Sequence, residues 1–305
     1  MTLSTISHAD DLISIRDFLR YAVSRFEAEN LFYGHGSDNV WDEAVHLVFA
    51  SLHLPLDNNA IFLDARLTRC ERERLLNQIE RRVVDRVPVS YLTGEAWFMG
   101  LPFYVDEHVL IPRSPIAELL ENSLQPWLGE RPVGRLLDLC TGSGCIGIAA
   151  ALVFPEAAVD LADISPEALA VAARNIHRHD VGDRVQAVES DLFEALSGRY
   201  DVILSNPPYV DASDLAAMPE EFRHEPVLGL EAGADGLDVV RRILAEAQDY
   251  LTEDGLLVVE VGNSAPALEE AFPELPFTWL DFERGGHGVF LMMASDLRDH
   301  FKNLN

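Results

Sequence analysis

The tetrapeptide Asn206-Pro207-Pro208-Tyr209 carries the most specific chemical information in the sequence. The side-chain carbonyl of Asn206 and the backbone carbonyl of Pro207 can accept the two hydrogens of a planar –NH₂ group, such as an amide or an exocyclic base amine. Such a nitrogen is a poor nucleophile because its lone pair is delocalised, and it becomes tetrahedral and positive as it attacks. Both acceptors therefore bind it more strongly in the transition state. The prolines stiffen the turn, and Tyr209 offers an aromatic face on which a flat group can stack.

A glycine-rich loop, Cys140-Thr141-Gly142-Ser143-Gly144, lies upstream and continues into Cys145-Ile146-Gly147. Its GxGxxG pattern is weak evidence alone, but here a strand containing Asp138 precedes it and a helix follows it. Asp163, 21 positions past Gly142, ends the next predicted strand. Because a carboxylate at that place can accept both hydroxyls of a ribose, we predict that the loop and Asp163 bind a cofactor.

Asp191 and Leu192 follow the third predicted strand. The carboxyl ends of parallel strands meet at one edge of a sheet, where ligands bind in open α/β folds. The acid and the leucine are therefore placed to contact the edge and the face of an adenine. Suitable groups at three consecutive strand ends predict a single binding mouth.

Two cofactors suit a loop of this kind. NAD places a pyrophosphate over the helix N-terminus, where free N–H groups favour negative charge. S-adenosylmethionine carries a positive sulfonium instead, for which Asp138 offers a nearby negative group; alternatively, Asp138 only ties the loop to backbone N–H groups. With S-adenosylmethionine as methyl donor, the tetrapeptide becomes the site that holds the accepting nitrogen. The nicotinamide hypothesis leaves the tetrapeptide unexplained.

Strands and helices alternate after about residue 116, which predicts a parallel sheet with helices on both faces. Residues 277–282 and 288–292 are two strands separated only by a glycine-containing turn, so they must pair antiparallel. A seven-stranded α/β sheet that ends in such a hairpin is typical of class I, Rossmann-like methyltransferases. The strands predicted before the hairpin are residues 136–139, 158–161, 185–188, 200–205 and 256–261.

The first hundred residues are predicted to be helical. Apolar side chains recur at three- and four-residue steps from Leu12 to Phe26, a second helix covers about residues 41–52, and Thr68 with Glu71 forms a capping box that begins a third. Aromatic and branched residues then predict a β-hairpin, with strands at 103–105 and 108–111 and a turn at Asp106-Glu107. We divide the chain into a helical substrate-recognition domain (residues 1–97), a hairpin linker (98–115) and a catalytic domain (116–305).

The composition is that of a globular protein, with 48% hydrophobic and 24% charged residues. No apolar stretch is long enough to span a bilayer, and residues 1–11 lack the pattern of a signal peptide, which favours a cytoplasmic location. The three cysteines are too few and too scattered for a disulfide framework or a metal cluster, so we predict no metal. Cys140 and Cys145 are interpreted as small packing residues.

The formal net charge is −28, and Lys302 is the only lysine. Nucleic-acid binding depends on lysine and arginine at the phosphates, so this charge lowers the expectation of a DNA or RNA substrate. The excess acid either keeps the protein soluble or attracts a basic macromolecular partner. The charge does not choose between these two hypotheses.

The loop and the tetrapeptide together resemble the protein glutamine methyltransferases, which modify the side-chain amide nitrogen of glutamine. The resemblance covers nearly the whole chain and includes Pro88-Val89-Ser90-Tyr91-Leu92-Thr93-Gly94, Glu225-Pro226 and Gly236-Leu237-Asp238. It implies S-adenosylmethionine as cofactor, bound by residues 140–144, Asp163, Leu192 and Asn206. It also implies that residues 206–209 hold the amide.

Two bacterial branches of this family differ after the predicted hairpin. The release-factor branch carries Pro-Arg-Pro-Glu-Thr, whereas this sequence has Pro112-Arg113-Ser114-Pro115-Ile116-Ala117. That version, with His35-Gly36-Ser37-Asp38-Asn39 and Trp41-Asp42, is similar to the branch that methylates the large-subunit ribosomal protein uL3. The implied partner is a basic protein, to which an acidic enzyme is complementary.

Other hypotheses remain at this point. A release factor is the alternative protein substrate. A base methyltransferase shares the Asn-Pro-Pro-aromatic turn, but it needs a basic groove and a way to extrude the base. A nicotinamide-dependent oxidoreductase and a non-catalytic assembly factor that binds a ribosomal protein are alternatives of other classes.

Overall fold

The computed structural model of the protein describes residues 11–56 and 59–302. Contacts divide the chain into two compact units, residues 1–96 with 219–224 and residues 97–218 with 225–305. The three-part division made from the sequence stays a prediction. The segment considered for a signal peptide lies, except for Asp11, outside the described residues. Within the described ranges, no helix is both long and apolar enough to cross a membrane.

The described part of the first unit is helical, as predicted. Its α-helices are α1 (Ile15–Ala28), α2 (Val40–Ser51), α3 (Arg69–Val84) and α4 (Val89–Thr93), with 3₁₀ turns at Asn59–Phe62 and Glu220–His224. The predicted apolar stripe is confirmed, since Phe18 and Phe26 are fully buried. The capping box is also confirmed: Glu71 N donates to Thr68 Oγ1 at 3.4 Å, and Thr68 N donates to Glu71 Oε2 at 2.7 Å.

A buried ion cluster lies inside the first unit. The guanidinium of Arg82, on α3, contacts the carboxylates of Glu43 and Glu221, the second at 3.1 Å. It also donates to the Phe32 carbonyl at 2.8 Å. Because buried charges must be paired, this cluster holds the turn Glu220–His224 against α2 and α3. Sequence patterns could not predict the contact, since Arg82 and Glu221 are 139 positions apart.

The position predicted for the β-hairpin is wrong. Strands β1 (Glu95–Phe98) and β2 (Leu101–Tyr104) form a two-stranded sheet. Met99 and Gly100 between them have φ of +52° and +70°, as a two-residue type I′ turn requires. The predicted turn at Asp106 is a tight turn after the hairpin, in which Val109 N donates to Asp106 O at 3.2 Å. Residues 108–111, predicted as the second strand, line a cleft instead.

Seven strands of the second unit form one sheet: β3 (Arg135–Leu139), β4 (Ala158–Asp163), β5 (Val185–Glu189), β6 (Tyr200–Ser205), β7 (Leu251–Glu260), β8 (Thr278–Trp279) and β9 (Val289–Met293). Their order is β5-β4-β3-β6-β7-β9-β8. Neighbours from β5 to β7 are parallel, whereas β9 is antiparallel to both β7 and β8. The predicted Rossmann-like fold with a C-terminal antiparallel hairpin is therefore confirmed, although β8 is shorter than predicted.

The described residues of the second unit also form seven α-helices, most of which cover the two faces of the sheet. They are α5 (Ile116–Glu121), α6 (Cys145–Val153), α7 (Pro166–Arg178), α8 (Ala212–Ala217), α9 (Asp238–Tyr250), α10 (Ala265–Ala271) and α11 (Ala294–Lys302). Helices α5 to α7 share one apolar cluster with Leu136 and Leu204, and α9 to α11 share another with Leu137 and Ile203. Adjacent strand residues enter opposite clusters because a strand has a period of two. With both faces covered, polar chemistry is confined to the strand ends.

Candidate active site

A cleft of about 480 Å³ opens in the second unit at the carboxyl ends of the parallel strands. The loops after β3, β4, β5 and β6 line it together with residues 107–114. Among the predicted site residues, those that line the cleft are Cys140, Thr141, Gly142, Ser143, Asp163, Asp191, Leu192, Asn206 and Pro208. The structure brings these residues together from four separate strand ends. Asp138, Gly144, Pro207 and Tyr209 are not among the lining residues.

Asp138 lies at the end of β3 and is 0% exposed. Its Oδ2 accepts a hydrogen bond from Gly147 N at 2.8 Å and another from the Thr141 hydroxyl. The side chain therefore ties the glycine loop to the start of α6, which was the alternative considered for this residue. Burial raises the pKa of Asp138 to about 7, against the opposing effect of the two hydrogen bonds. The carboxyl group thus titrates near neutral pH.

Gly147 allows α6 to approach the sheet closely. A Cβ atom at this position would lie 2.2 Å from Leu161 Cδ2 and 2.8 Å from Asp138 Cβ. Both distances are far below van der Waals contact, so a side chain here would push the helix away from β3 and β4. The third glycine of the predicted pattern therefore serves helix–strand packing.

Asp163 ends β4 and holds the loop from the other side. Its Oδ2 accepts from Gly142 N at 2.8 Å, and its Oδ1 accepts from Ser165 N at 2.9 Å. Each carboxylate oxygen can accept more than one hydrogen bond, so both retain capacity for the hydroxyls of a ribose. Burial raises the pKa of Asp163, and the backbone hydrogen bonds oppose that rise.

Asp191 and Leu192 lie just beyond β5 at the same mouth. Leu192 is buried, with φ of +51°, and lines the cleft. The carboxylate of Asp191 forms a salt bridge with Arg242, on α9, at 2.8 Å. Arg242 also lines the cleft and was not predicted. Its position depends on a helix that is 51 residues away in the chain, which no local pattern indicates.

Cys140 and Cys145 also lie at this loop. Burial raises the pKa of both thiols, that of Cys145 to about 12. A thiol is nucleophilic only as the thiolate, and neither residue forms a thiolate near neutral pH. Their environment agrees with the interpretation of both as packing residues.

Three buried polar atoms have no hydrogen-bond partner in the described part of the chain: Ser143 Oγ and Asn206 Oδ1, whose residues line the cleft, and Asp138 Oδ1, whose residue does not. Buried polar groups are normally paired, and leaving one unpaired costs about 1–3 kcal/mol. Two of these atoms are acceptors and the third is a hydroxyl. They offer partners to a ligand that brings its own donors, such as an amino or amide group.

Asn206 begins the tetrapeptide directly after β6. The preceding Ser205 hydroxyl donates to the Leu139 carbonyl at 2.7 Å, which joins the ends of β6 and β3. The start of the tetrapeptide is therefore held beside the glycine loop. Its side-chain oxygen is the unpaired acceptor described above, as expected of a group that awaits an N–H donor.

Tyr209 is anchored from several directions. Its hydroxyl donates to Glu260 Oε1 at 2.9 Å, and its carbonyl accepts from Ser264 Oγ at 2.7 Å. A Cβ atom on Gly262, whose φ is +47°, would lie 2.5 Å from the tyrosine ring. Burial raises the pKa of the Tyr209 phenol well above its ordinary value, so the phenol stays protonated at neutral pH.

A bidentate ion pair joins two of the stretches on which the family resemblance rests. The guanidinium of Arg113 contacts Glu225 at 2.5 and 2.7 Å, and the Glu225 side chain is fully buried. Ile111 N also donates to Glu225, at 3.0 Å. Arg113 lines the cleft. The sequence drew attention to both stretches, but their pairing across 112 positions is a tertiary fact.

A sequence model of the family described as "Methyltransferase small domain" matches residues 117–224. Two curated proteins named "Ribosomal protein uL3 glutamine methyltransferase" are similar over almost the whole chain. The protein of Francisella tularensis is 49% identical over 96% of this chain and 95% of its own length. That of Bordetella pertussis is 51% identical over 95% of this chain and 98% of its own length.

Among solved structures, the hMettl16 catalytic domain in complex with the MAT2A 3′UTR hairpin 1 aligns over 90% of both chains, with a TM-score of 0.51 and 16% identity. At that identity the likeness concerns the fold alone, so the RNA in that complex does not favour a nucleic-acid substrate here. The two bacterial relatives, in contrast, are similar enough and long enough to decide the family. Together with the glycine loop, the strand ends and the tetrapeptide, they show that this chain belongs to the family of the ribosomal protein uL3 glutamine methyltransferases.

Proposed function

We propose that this protein methylates the side-chain amide nitrogen of a glutamine in ribosomal protein uL3, with S-adenosylmethionine as methyl donor. The observation that carries the proposal is the unpaired, buried Asn206 Oδ1 at the mouth of the cleft. An acceptor in that state fits a substrate that brings an N–H donor. The names of the relatives supply the identity of that substrate.

The cofactor fits the residues present. The cleft of about 480 Å³ is large enough for a nucleoside with an amino-acid tail. The Asp163 carboxylate has acceptor capacity for ribose hydroxyls, and the unpaired Asp138 Oδ1 and Ser143 Oγ suit a cationic, amino-bearing end. We assign the remaining contacts to residues 140–144 and to Asp191 and Leu192. When bound, S-adenosylmethionine supplies an electrophilic methyl group on a positive sulfur.

The amide contributes the nucleophile, and residues 206–209 orient it. Asn206 Oδ1 and the Pro207 carbonyl accept its two N–H hydrogens, and these bonds strengthen as the nitrogen gains positive charge. Tyr209 closes the turn that carries these acceptors, and its hydroxyl is held by Glu260. The protein needs no strong base, because a protonated amide loses its proton readily to water. Catalysis therefore consists mainly of orientation and electrostatic stabilisation.

We assign recognition of the protein substrate to the helical first unit and place the enzyme in the cytoplasm, where ribosomal proteins are made. A release factor is the second candidate substrate, because both branches of the family that this sequence resembles share the tetrapeptide. Base methylation is disfavoured by the net charge of −28.

The test is to incubate the purified protein with methyl-labelled S-adenosylmethionine and ribosomal components from cells that lack this activity. We expect label that protease releases and nuclease does not, and that maps to one glutamine of uL3. Asn206→Ala should lower the rate by at least about 10²–10³-fold, since it removes an acceptor made for the transition state. Asn122→Ala, which changes an exposed asparagine outside the cleft, is the matched control.

Each other outcome has a definite meaning. Label released by nuclease would show that the tetrapeptide holds a base. Label found only in an added release factor would show that the release factor, and not uL3, is the substrate. An unchanged methylation rate in Asn206→Ala would refute the proposed role of Asn206 as an acceptor, even if uL3 were methylated.

A further inference from the structure

Glu260 is a buried carboxyl group that joins two hydroxyl groups from distant parts of the second unit. It ends β7 and is 6% exposed. Its Oε1 accepts from the Tyr209 hydroxyl at 2.9 Å, and its Oε2 accepts from Ser114 Oγ at 2.6 Å. No sequence motif singles out Glu260. A buried carboxyl is costly unless its oxygens are satisfied, and here each oxygen has one hydroxyl partner.

The two partners of Glu260 have different relations to the reaction. Tyr209 ends the tetrapeptide that holds the amide. Ser114 belongs to Pro112-Arg113-Ser114, a segment that lines the cleft. The Ser114 oxygen also accepts from Ile116 N at 3.2 Å, so the serine is fixed at the start of α5. Glu260 thus connects a segment of the cleft lining to the turn that carries the proposed acceptors.

Three contacts restrain Tyr209, and only the one with Glu260 fixes the hydroxyl end of its ring. Gly262 lies directly against the ring, and Ser264 holds the backbone of the same residue. The hydroxyl end of the ring is fixed by Glu260. Removing the carboxyl would leave a buried phenol without its acceptor and allow the ring to tilt toward another partner, which would carry the Pro207–Tyr209 turn with it.

We propose that Glu260 is a positioning residue for methyl transfer: with Ser114 it holds the Tyr209 hydroxyl, and through that ring it keeps the Asn206 and Pro207 acceptors aimed at the amide. This inference rests on the proposed function. It assigns to Ser114 a role in the reaction that composition and motifs alone do not suggest. Displacing a reacting group by about 1 Å can cost about 100-fold in rate, so a lost anchor should be visible in kcat.

The test compares Tyr209→Phe, Glu260→Leu, the double variant and Glu260→Gln in steady-state methylation of uL3. We expect Tyr209→Phe and Glu260→Leu each to lower kcat by about 10- to 100-fold, while KM for uL3 and Kd for S-adenosylmethionine change by less than about threefold. The double variant should be no slower than the slower single variant, because both changes remove the same contact. Glu260→Gln keeps an acceptor for Tyr209 and a partner for Ser114, so its kcat should stay within about threefold of the wild type.

A second buried tyrosine–carboxylate pair provides the matched control. The Tyr200 hydroxyl donates to Asp160 Oδ2 at 2.6 Å near the amino ends of β6 and β4, away from the cleft. Tyr200→Phe should lower thermal stability without lowering kcat. If it reduces kcat as much as Tyr209→Phe does, the effect is general destabilisation and the proposal is wrong. Additive losses in the Tyr209 and Glu260 double variant would overturn it equally.

A spectroscopic measurement separates this inference from the proposed function. The Tyr209 hydroxyl proton, protected by its bond to Glu260, should give an NMR signal in the wild type and in Glu260→Gln and none in Glu260→Leu. Failure of the wild type to methylate uL3 would refute the proposed function but would not bear on the hydrogen bond between Tyr209 and Glu260. A proton signal that persists in Glu260→Leu would refute the positioning role, because Tyr209 would then have another anchor.

Discussion

Asp138 combines a structural bond and an unused oxygen in one carboxyl group. Its Oδ2 ties Gly147 and Thr141, whereas its Oδ1 is buried without a partner among the described residues. One oxygen of the carboxyl therefore shapes the loop, and under the proposed function we assign the other to the amino-bearing end of the cofactor. Both of the roles considered for this residue are compatible with its geometry.

The raised pKa of Asp138, about 7, predicts that cofactor binding depends on pH. Below that value the carboxyl is neutral, and above it the group carries the charge that attracts a cation. We expect the Kd for S-adenosylmethionine to fall between pH 6 and pH 8, by at most about tenfold per pH unit for one proton. Isothermal titration should show this fall in the wild type and a flat profile in Asp138→Asn. A parallel pH dependence in both proteins would contradict the role.

The same pKa has an opposite consequence for stability. The folded protein binds this proton more tightly than the unfolded chain does, so the contribution of Asp138 to stability is fully present at low pH. It is lost as pH rises toward about 7. The free energy of unfolding of the wild type should therefore fall relative to Asp138→Asn between about pH 4 and pH 7, by at most about 1.4 kcal/mol per pH unit. Urea unfolding at several pH values measures the difference, and an unchanged difference would refute the shift.

Cysteine reactivity provides a further prediction. Cys70 is exposed, whereas burial raises the pKa of Cys140 and Cys145. Treatment of the folded protein with iodoacetamide at pH 8 should alkylate Cys70 and leave the other two intact, as peptide mass spectrometry would show. Methylation activity should survive, because Cys70 lies outside the cleft lining. Rapid labelling of Cys140 would contradict the assigned environment.

The close packing of strands and helices around the cleft determines the shape of its mouth and of the glycine loop. Segments from four strand ends form the mouth because β3, β4, β5 and β6 are parallel neighbours and end at the same edge. The loop after β3 keeps its shape because α6 lies unusually near the sheet at Gly147. Contacts at such positions transmit strain directly to the glycine loop.

Gly147→Ala is therefore expected to lower both stability and cofactor affinity. The added methyl would lie 2.2 Å from Leu161 Cδ2, so α6 must shift, at a cost of about 1–3 kcal/mol in the free energy of unfolding. Gly182→Ala is the control, since its Cβ would lie 3.5 Å from the nearest atom and its φ is not positive. Chemical denaturation and cofactor titration of both variants test the difference. Equal stabilities would show that the helix approach is not tight.

The net charge of −28 belongs to the molecule as a whole and bears on association with its substrate. Opposite fields raise the rate of encounter, and salt screens them over about 8–10 Å at physiological ionic strength. The charge does not specify a fold or a reaction. It favours a basic partner over an acidic one.

We expect kcat/KM for full-length uL3 to fall by about tenfold or more as NaCl is raised from about 50 to about 500 mM. The kcat at saturating substrate should change little, because long-range attraction acts on the encounter and not on the bound complex. A short neutral peptide that contains the target glutamine is the control, and its kcat/KM should be nearly independent of salt. An equal response of the protein and the peptide would mean that the acidity serves solubility alone.

Local patterns in the sequence were sufficient for the elements and for the motifs. The alternation of strands and helices depends on neighbours within a few residues, and so does the glycine loop. Asp163 and Asn206 were predicted from the edge at which parallel strands end. The structure places the loop and both residues at one mouth. The hairpin shows the limit of such patterns. Branched residues at 108–111 suggested a strand, but the positive φ of Met99 and Gly100 placed the turn earlier.

Contacts between distant segments were decided only by the tertiary structure. Ser114 and Glu260 are 146 positions apart, Arg113 and Glu225 are 112 apart, and Arg82 and Glu221 are 139 apart. Each pair is an ordinary polar or charged residue in its own segment, with no periodicity or spacing that points to the other. The free energy of pairing such groups exists only after the core has excluded water from both. The sequence therefore predicted residues at four strand ends that line the cleft, whereas folding determined which groups hold those residues in place.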